Sequence, residues 1–248
     1  MSAALAGPLT ELGGMPFVDD AFAARRLLAA AAAVRHVNAE RRGMADGITD
    51  AEAEAWLAPA RVFMLRHDSP SMPAAALVGG RRQRIADALA GLTSAIPPWT
   101  PLLRLPVRFA LLYPSNGAIS ASSRSWPQHV LLSDEAFSSD TELREQLVHE
   151  LCHQWLYLIE EVWTLEIVGA RSAVLPSGTT GRTPSEVLGA AHVAAALIRL
   201  YSTVANELPG RLDHLARYGS GCVELLGRLK GDLTDVGLEL AQHLKEIL

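Results

Sequence analysis

The chain has 248 residues, 49% of them hydrophobic, and a formal net charge of −5 at pH 7. A chain of this length can bury a full core, so we expect a single domain over residues 1–248. The negative charge argues against nucleic acid as a partner, because such partners need a basic surface. Only two cysteines occur, Cys152 and Cys222, so we expect no disulfide framework and a reducing, cytoplasmic location.

Neither the first residues nor the longest apolar run predicts contact with a membrane. Residues 1–4 lack the basic segment that opens a secretory signal peptide. The longest apolar run, residues 27–34, is far shorter than the roughly 20 residues that cross a bilayer. We therefore expect no membrane partner.

The first part of the chain, residues 1–100, is predicted to be a helical platform without recognisable chemistry. Residues 1–15 resemble a loose leader rich in Gly and Pro. Three helices are predicted from apolar periodicity and capping signals, over residues 20–42, from residues 49–52 to a stop or bend at Pro59, and over residues 80–92.

Composition changes after Pro98, and residues 101–207 are predicted to be the metal-binding catalytic core. Residues 107–113 favour a strand, and residues 118–133 favour one or two more, most clearly at residues 129–132. We expect a mainly α fold with a small antiparallel β-sheet, of the α+β class.

Two capping boxes predict the long helices of this core. Ser139–Glu142 opens a helix to about residue 163, and Thr183–Glu186, with Pro at the first helical position, opens a helix to about residue 206. Residues 208–248 are predicted to form C-terminal helices, broken near the glycines at 219–221.

The sequence HELCH at residues 149–153 lies in the first core helix and matches the pattern HExxH. Residues four apart share a helix face, so His149 and His153 can both present an imidazole to one divalent metal. Glu150, about 100° away around the helix, is the candidate catalytic residue, since it can reach a metal-bound water or a substrate. The surrounding residues are apolar, which predicts a buried helix whose histidines need a partner. The alternative is two hydrogen-bonded core histidines.

A metal needs a third ligand from elsewhere in the chain. We prefer His192, because it lies in a helix that is apolar all round and is therefore expected in the core. The metal site is then predicted between the HExxH helix and this second buried helix. Glu166 and Glu186 are competing third ligands. Four other histidines are interpreted as surface or packing residues: His36, His67, His214 and His243.

Arg199 lies two turns after His192 on nearly the same helix face. Its guanidinium would lean back toward the metal, and the small Ala195 and Ala196 would leave a slot for a small dicarboxylate. The alternative is that Arg199 pairs with an acidic residue of another helix.

Two segments, LVHELCH at 147–153 and GRTPSEVLGAAH at 181–192, resemble the HExxH-type 2-oxoglutarate-dependent peptide β-hydroxylases, over roughly residues 105–205. The first motif is shared with many zinc peptidases. The second, an Arg before a helix carrying Gly-x-x-His, points to this family.

The resemblance implies an Fe(II) oxygenase that uses 2-oxoglutarate and dioxygen to β-hydroxylate ribosomally made precursor peptides of natural product pathways. It implies His149, His153 and His192 as iron ligands, which departs from the usual set of two histidines and one carboxylate. It also leaves Glu150 without its peptidase task. Arg182 matches a basic position of the family and competes with Arg199 as the anchor of the 2-oxoglutarate carboxylate.

A zinc metallopeptidase or related hydrolase is the second hypothesis. Glu150 would then deprotonate a zinc-bound water, and Glu166 or Glu186 would complete the site. In either enzyme the strand at 129–132 would line a cleft for an extended peptide. A third hypothesis is a binding protein in which the motif is structural. Cys152 could face the site, but we expect it to pack in the core.

Overall fold

A computed structural model of the protein describes residues 7–44, 55–65, 71–204 and 210–248. The chain forms two compact units. Unit 1 consists of Met1–Ala23 and Trp163–Leu248, and unit 2 of Ala24–Val162. These units do not follow the predicted segments 1–100, 101–207 and 208–248, and the single domain itself stays a prediction.

The described part of the chain is mainly helical, as predicted. Its α-helices are α1 (Pro8–Leu12), α2 (Ala24–Glu40), α3 (Pro59–Phe63), α4 (Arg81–Ala95), α5 (Thr100–Leu103), α6 (Asp140–Val162), α7 (Pro184–Thr203), α8 (Arg211–Arg228) and α9 (Asp235–Ile247). Its strands are β1 (Ala74–Ala75), β2 (Arg108–Leu112), β3 (Ser120–Ala121) and β4 (His129–Leu132). None of the described helices has the length and apolar character needed to cross a bilayer.

The sheet is mixed, so the prediction of an antiparallel sheet is wrong. The strand order is β1-β2-β4-β3. The two central strands, β2 and β4, run parallel, while β1 and β3 pair with them antiparallel. The reason lies in the connection after β2: it carries β3 to the far side of β4, so that β4 returns beside β2 in the same direction. Because β4 is paired on both sides and wholly buried, it does not line a peptide cleft, and the edge strands are β1 and β3.

The predicted long elements are confirmed. The platform helices expected over residues 20–42 and 80–92 are α2 and α4, and the two core helices are α6 and α7. At the start of α6 the Ser139 hydroxyl accepts the backbone N–H of Glu142 at 3.0 Å. At the start of α7 the box predicted at Thr183 forms in full.

Two predictions in the platform are wrong. The supposed leader contains α1, which opens with Pro8 and ends at Gly13, a residue in the left-handed conformation. Pro59 does not end a helix but opens α3, since a proline costs no hydrogen bond in the first turn. The helix start predicted at residues 49–52 lies outside the described residues.

The predicted helix break at Gly219 and Gly221 is also wrong, because α8 runs through both glycines. A Cβ on Gly219 would lie 3.2 Å from the Cβ of Ala194, and one on Gly221 would lie 2.9 Å from the Cγ of Pro176. These glycines therefore allow close packing inside unit 1. The helix ends later, at Arg228, and the 3-10 turn Lys230–Asp232 follows it.

The core of unit 2 fixes the orientation of α6. Leu143 and Leu147 of α6 share a buried cluster with Val130 and Leu132 of β4 and with Ile85 of α4. Burying one such side chain stabilises the fold by roughly 1.5–3 kcal/mol. The face of α6 that carries these leucines is therefore held against the sheet and α4.

An ion pair with a buried guanidinium ties α2 to α6. Arg35 is 2% exposed and donates from Nε and Nη2 to the two carboxylate oxygens of Glu161 at 2.6 and 2.8 Å. Its Nη1 donates to the carbonyl oxygen of Trp56 at 2.9 Å. The buried guanidinium is thus neutralised and hydrogen-bonded, while the Glu161 side chain is 20% exposed.

Candidate metal centre

His149 and His153 lie side by side on α6. Their ring centroids are 5.0 Å apart, with an angle of 60° between the rings. The side chain of His149 is 36% exposed, and that of His153 is half-buried. The expectation that both are buried is wrong, because His149 follows the core residue Leu147 by two positions, or about 200° around the helix.

Glu150 lies on the buried side of the same turn and is 2% exposed. Its Oε1 is 4.0 Å from Nε2 of His149 and accepts a hydrogen bond from the Ser120 hydroxyl of β3 at 2.5 Å. The same hydroxyl lies 2.6 Å from Oε1 of Gln146, and its one hydrogen can serve only one of the two oxygens at a time. Oε2 of Glu150 is buried without a hydrogen-bond partner in the described structure.

Three residues beside His153 were not predicted from the sequence. The ring of Tyr157 lies 6.1 Å from the His153 ring, at an angle of 19°. The guanidinium carbon of Arg124 lies 5.5 Å from the centre of the Tyr157 ring, and Arg124 donates from Nε and Nη2 to the carboxylate of Glu160. The spacing of four from His153 could have indicated Tyr157, whereas no local signal connects Arg124 with α6.

The Tyr157 hydroxyl and the Cys152 thiol, both near the site, are protonated at neutral pH. Burial, followed by the negative charge of Glu150, raises the pKa of Tyr157 to about 12, so its phenol is neutral. Burial also raises the pKa of the Cys152 thiol well above its usual range. Cys152 is fully buried, which confirms that it packs in the core.

The histidine pair supplies some of the ligands that a divalent cation needs. Two imidazoles on successive turns are ligands that iron and zinc accept. The unpartnered carboxylate oxygen of Glu150 is an acceptor that a cation or its water could satisfy. Within the described residues no three His, Cys, Asp or Glu side chains gather closely enough to hold a metal. A third ligand therefore stays a prediction.

His192, the predicted third ligand, belongs to unit 1 and is fully buried in α7. Its Nε2–H donates to the carbonyl oxygen of Pro16 at 2.7 Å, and its Nδ1 is buried without a hydrogen-bond partner in the structure as described. Burial lowers the pKa of His192 to about 4, although the bond to Pro16 and the charge of Asp19 oppose that shift. The imidazole is therefore neutral at pH 7, with a lone pair on Nδ1.

The two predicted anchors, Arg199 and Arg182, both have partners in unit 1. Arg199 donates from Nη1 to the carbonyl oxygen of Val18 at 2.7 Å and from Nη2 to the carboxylate of Asp20. The acid beside Arg199 thus comes from the N-terminal segment and not from another helix. Arg182 donates to Glu186 at 2.8 Å.

The two competing acidic ligands, Glu166 and Glu186, both serve the start of α7. Oε2 of Glu166 accepts the backbone N–H of Ser185 at 2.9 Å, and Oε2 of Glu186 accepts that of Thr183 at 2.8 Å. Carboxylates are stabilised at this end of a helix by unpaired N–H groups and the helix dipole. Capping therefore accounts for both residues.

The other histidines have local environments of their own. His36 of α2 is fully buried, with Nε2 3.3 Å from the carboxylate of Glu40. His243 contacts Asp19 at 2.8 Å. His214 is exposed, and His67 lies outside the described residues. His129, for which the sequence indicates no role, is buried in β4 and directs Nδ1 to the carbonyl oxygen of Pro127 at 2.9 Å.

The candidate centre therefore consists of the HExxH turn of α6, the Ser120 hydroxyl of β3 and the Tyr157 ring beside His153. The sequence matches none of the family models and none of the curated proteins with which it was compared. The resemblance to peptide β-hydroxylases stays a prediction that rests on the two motifs.

Proposed function

We propose that this protein is a metal-dependent enzyme that holds its ion with His149 and His153, and that it is an Fe(II)- and 2-oxoglutarate-dependent oxygenase of ribosomally made peptides. The observation that supports the proposed metal site is the half-exposed histidine pair, whose ring centroids are 5.0 Å apart. A half-exposed pair can receive an ion from solvent. The choice of iron, cosubstrate and peptide comes from the sequence resemblance.

Glu150 would increase the affinity of the site for a cation. Its carboxylate lies 4.0 Å from Nε2 of His149, and its burial reduces screening of the negative charge. The hydrogen bond from Ser120 fixes one oxygen, which suits a residue that holds the site in place. This role agrees with an oxygenase, in which no glutamate has to activate water.

The hydrogen bond of His192 to Pro16 supports its proposal as the third ligand. Histidines that bind metals usually donate their other ring N–H to a carboxylate or a backbone carbonyl, as His192 does to Pro16. When bound, iron with 2-oxoglutarate and dioxygen would supply the oxidation that turns a peptide C–H into C–OH, with succinate and carbon dioxide as coproducts. The protein would bind and orient the peptide and keep water away.

An anaerobic titration of the metal-free protein with Fe(II) and then 2-oxoglutarate tests this proposal. We expect a visible charge-transfer band that needs both additions and is lost in His149→Ala, a half-exposed position whose replacement leaves the core intact. His192→Gln, checked for folding by its thermal melt, should also lose the band. Absence of a band in the unmodified protein, together with tight retention of zinc, would overturn the oxygenase.

A zinc hydrolase is the second candidate, and one observation favours it. The buried, unpartnered Oε2 of Glu150 could accept a proton from a metal-bound water. Hydrolysis of peptides with zinc and without oxygen, abolished in Glu150→Gln, would establish this activity. In the oxygenase, Glu150→Gln should weaken metal binding without creating or removing any hydrolysis.

A further inference from the structure

We infer that Tyr157 and Arg124 are positioning residues of the proposed metal centre, which hold the imidazole of His153 in the orientation that binds the ion. This inference rests on the proposed function, and it concerns residues to which no motif assigns a role. All of them belong to unit 2. Arg124 comes from the connection between β3 and β4, and the others come from α6.

The first step is the contact of the two rings. His153 and Tyr157 are four residues apart, so they lie on successive turns of α6, one above the other. Their ring centroids are 6.1 Å apart and their planes differ by 19°, which is an offset stacked arrangement within the favourable range. The stack covers one face of the half-buried imidazole and so restricts its rotation about the two side-chain torsions.

The second step is the support of Tyr157 itself. The guanidinium of Arg124 lies over its ring at 5.5 Å, a distance at which a cation is attracted by the ring face. Arg124 is in turn fixed by Glu160, whose two carboxylate oxygens accept from Nε and Nη2. A two-point contact of this kind fixes the guanidinium plane as well as its position.

The third step is the difference between the two histidines. The carboxylate of Glu150 lies 4.0 Å from His149, and the Tyr157 ring stacks on His153. Ser120 and Arg124 flank the same short stretch of chain, and they reach Glu150 and Tyr157 respectively. The stretch Ser120–Arg124, which runs from β3 into the connection to β4, thus supports both sides of the histidine pair. Loss of groups that orient a ligand typically costs about 10–100-fold in metal affinity.

Titration of the full-length, metal-free protein with Co(II), followed by its visible absorption, tests this role. We expect Tyr157→Leu and Arg124→Met to weaken Co(II) binding about 10-fold or more, since both disrupt the stack. Tyr157→Phe keeps the ring and loses only the hydroxyl, so its affinity should stay within about 3-fold of the unmodified protein. Tyr113→Leu, at an aromatic residue that is 70% exposed, is the matched control and should change nothing.

Thermal melts of the same metal-free variants separate positioning from a general effect on stability. A positioning role predicts that the loss of affinity in Tyr157→Leu and Arg124→Met is recovered in Tyr157→Phe and does not follow the melting temperature. Unchanged Co(II) affinity in both disruptive variants, with binding abolished in His153→Ala, would overturn this inference and leave the proposed function standing. Equal weakening in Tyr157→Phe and Tyr157→Leu would also overturn it. No Co(II) binding by the unmodified protein would instead overturn the proposed function.

Discussion

Two helical glycines of unit 1 have opposite surroundings. A Cβ on Gly237, in the first turn of α9, would lie 2.1 Å from the carbonyl oxygen of Leu165, a backbone atom that cannot move aside alone. A Cβ on Gly227, near the end of α8, would meet nothing within 4 Å. The same substitution should therefore have opposite effects at the two positions.

We expect Gly237→Ala to lower the free energy of unfolding by about 1–3 kcal/mol, because the added methyl overpacks the contact with Leu165. Gly227→Ala should raise it by about 0.5–1 kcal/mol, because alanine loses less backbone entropy in a helix. Urea unfolding of the two variants measures both changes. Equal effects of the two substitutions would contradict the close approach of α9 to Leu165.

The connection of helix α2 to helix α6 depends on the pair of the buried Arg35 and the partly exposed Glu161. Glu161→Ala would leave the guanidinium buried without its counter-charge, so we expect a loss of about 3–5 kcal/mol in unfolding free energy. The Arg81–Asp134 pair has a similar N–O distance of 2.5 Å, but the side chain of Asp134 is 70% exposed. Asp134→Ala should therefore cost less than about 1 kcal/mol.

Chemical denaturation checks this comparison, and the double substitution Arg35→Met with Glu161→Ala completes it. Replacement of both charges should recover part of the loss, because the uncompensated guanidinium is gone. If Glu161→Ala were no worse than Asp134→Ala, the Arg35 guanidinium would not be buried in solution.

The sequence predicted those elements whose signals are local. Ser139 and Thr183 indicated the starts of α6 and α7, and the apolar run at residues 129–132 indicated β4. The direction of the sheet was not predictable, because it depends on where β3 pairs after the turn that follows β2. The glycines of α8 were misread because a glycine that breaks a helix and one that allows close packing look alike without the neighbouring chain.

The candidate site divides in the same way. Helical spacing alone placed His149 and His153 on one face and turned Glu150 away from them. The contact of Ser120 with Glu150 joins residues 30 apart in sequence, and that of His192 with Pro16 joins residues 176 apart. A pattern within a single helix cannot predict contacts between residues so far apart in sequence. The partners of these side chains are therefore known only from the structure.

At the scale of the whole molecule, the stability of the protein should depend on pH through His192. Burial lowers its pKa to about 4 in the folded protein, against about 6.5 in an unfolded chain. Between these values the unfolded chain binds the proton and the folded protein does not, so the free energy of unfolding falls as the pH falls through this window. The full contribution is about 3 kcal/mol, present above pH 6.5 and lost toward pH 4. Burial lowers the pKa of His129 as well, which acts in the same direction.

Urea unfolding at about pH 7.5 and pH 5, with a chelator to keep metal away, measures this dependence. We expect His192→Gln to reduce the loss of stability between the two conditions, and His214→Gln, at an exposed position, to leave it unchanged. The same loss in His192→Gln as in the unmodified protein would show that His192 does not titrate as its burial requires.

The order in which the two units occur along the chain has a consequence for synthesis on the ribosome. Unit 2 is one continuous stretch, Ala24–Val162, inserted between the two parts of unit 1. All of its strands and the whole HExxH helix have emerged before most of unit 1 has been made. The segment around Pro16 can form its contact with His192 only after 176 further residues have been made. Contacts between residues so far apart in sequence form slowly. We therefore expect the nascent protein to form the HExxH helix first and the contact between Pro16 and His192 last.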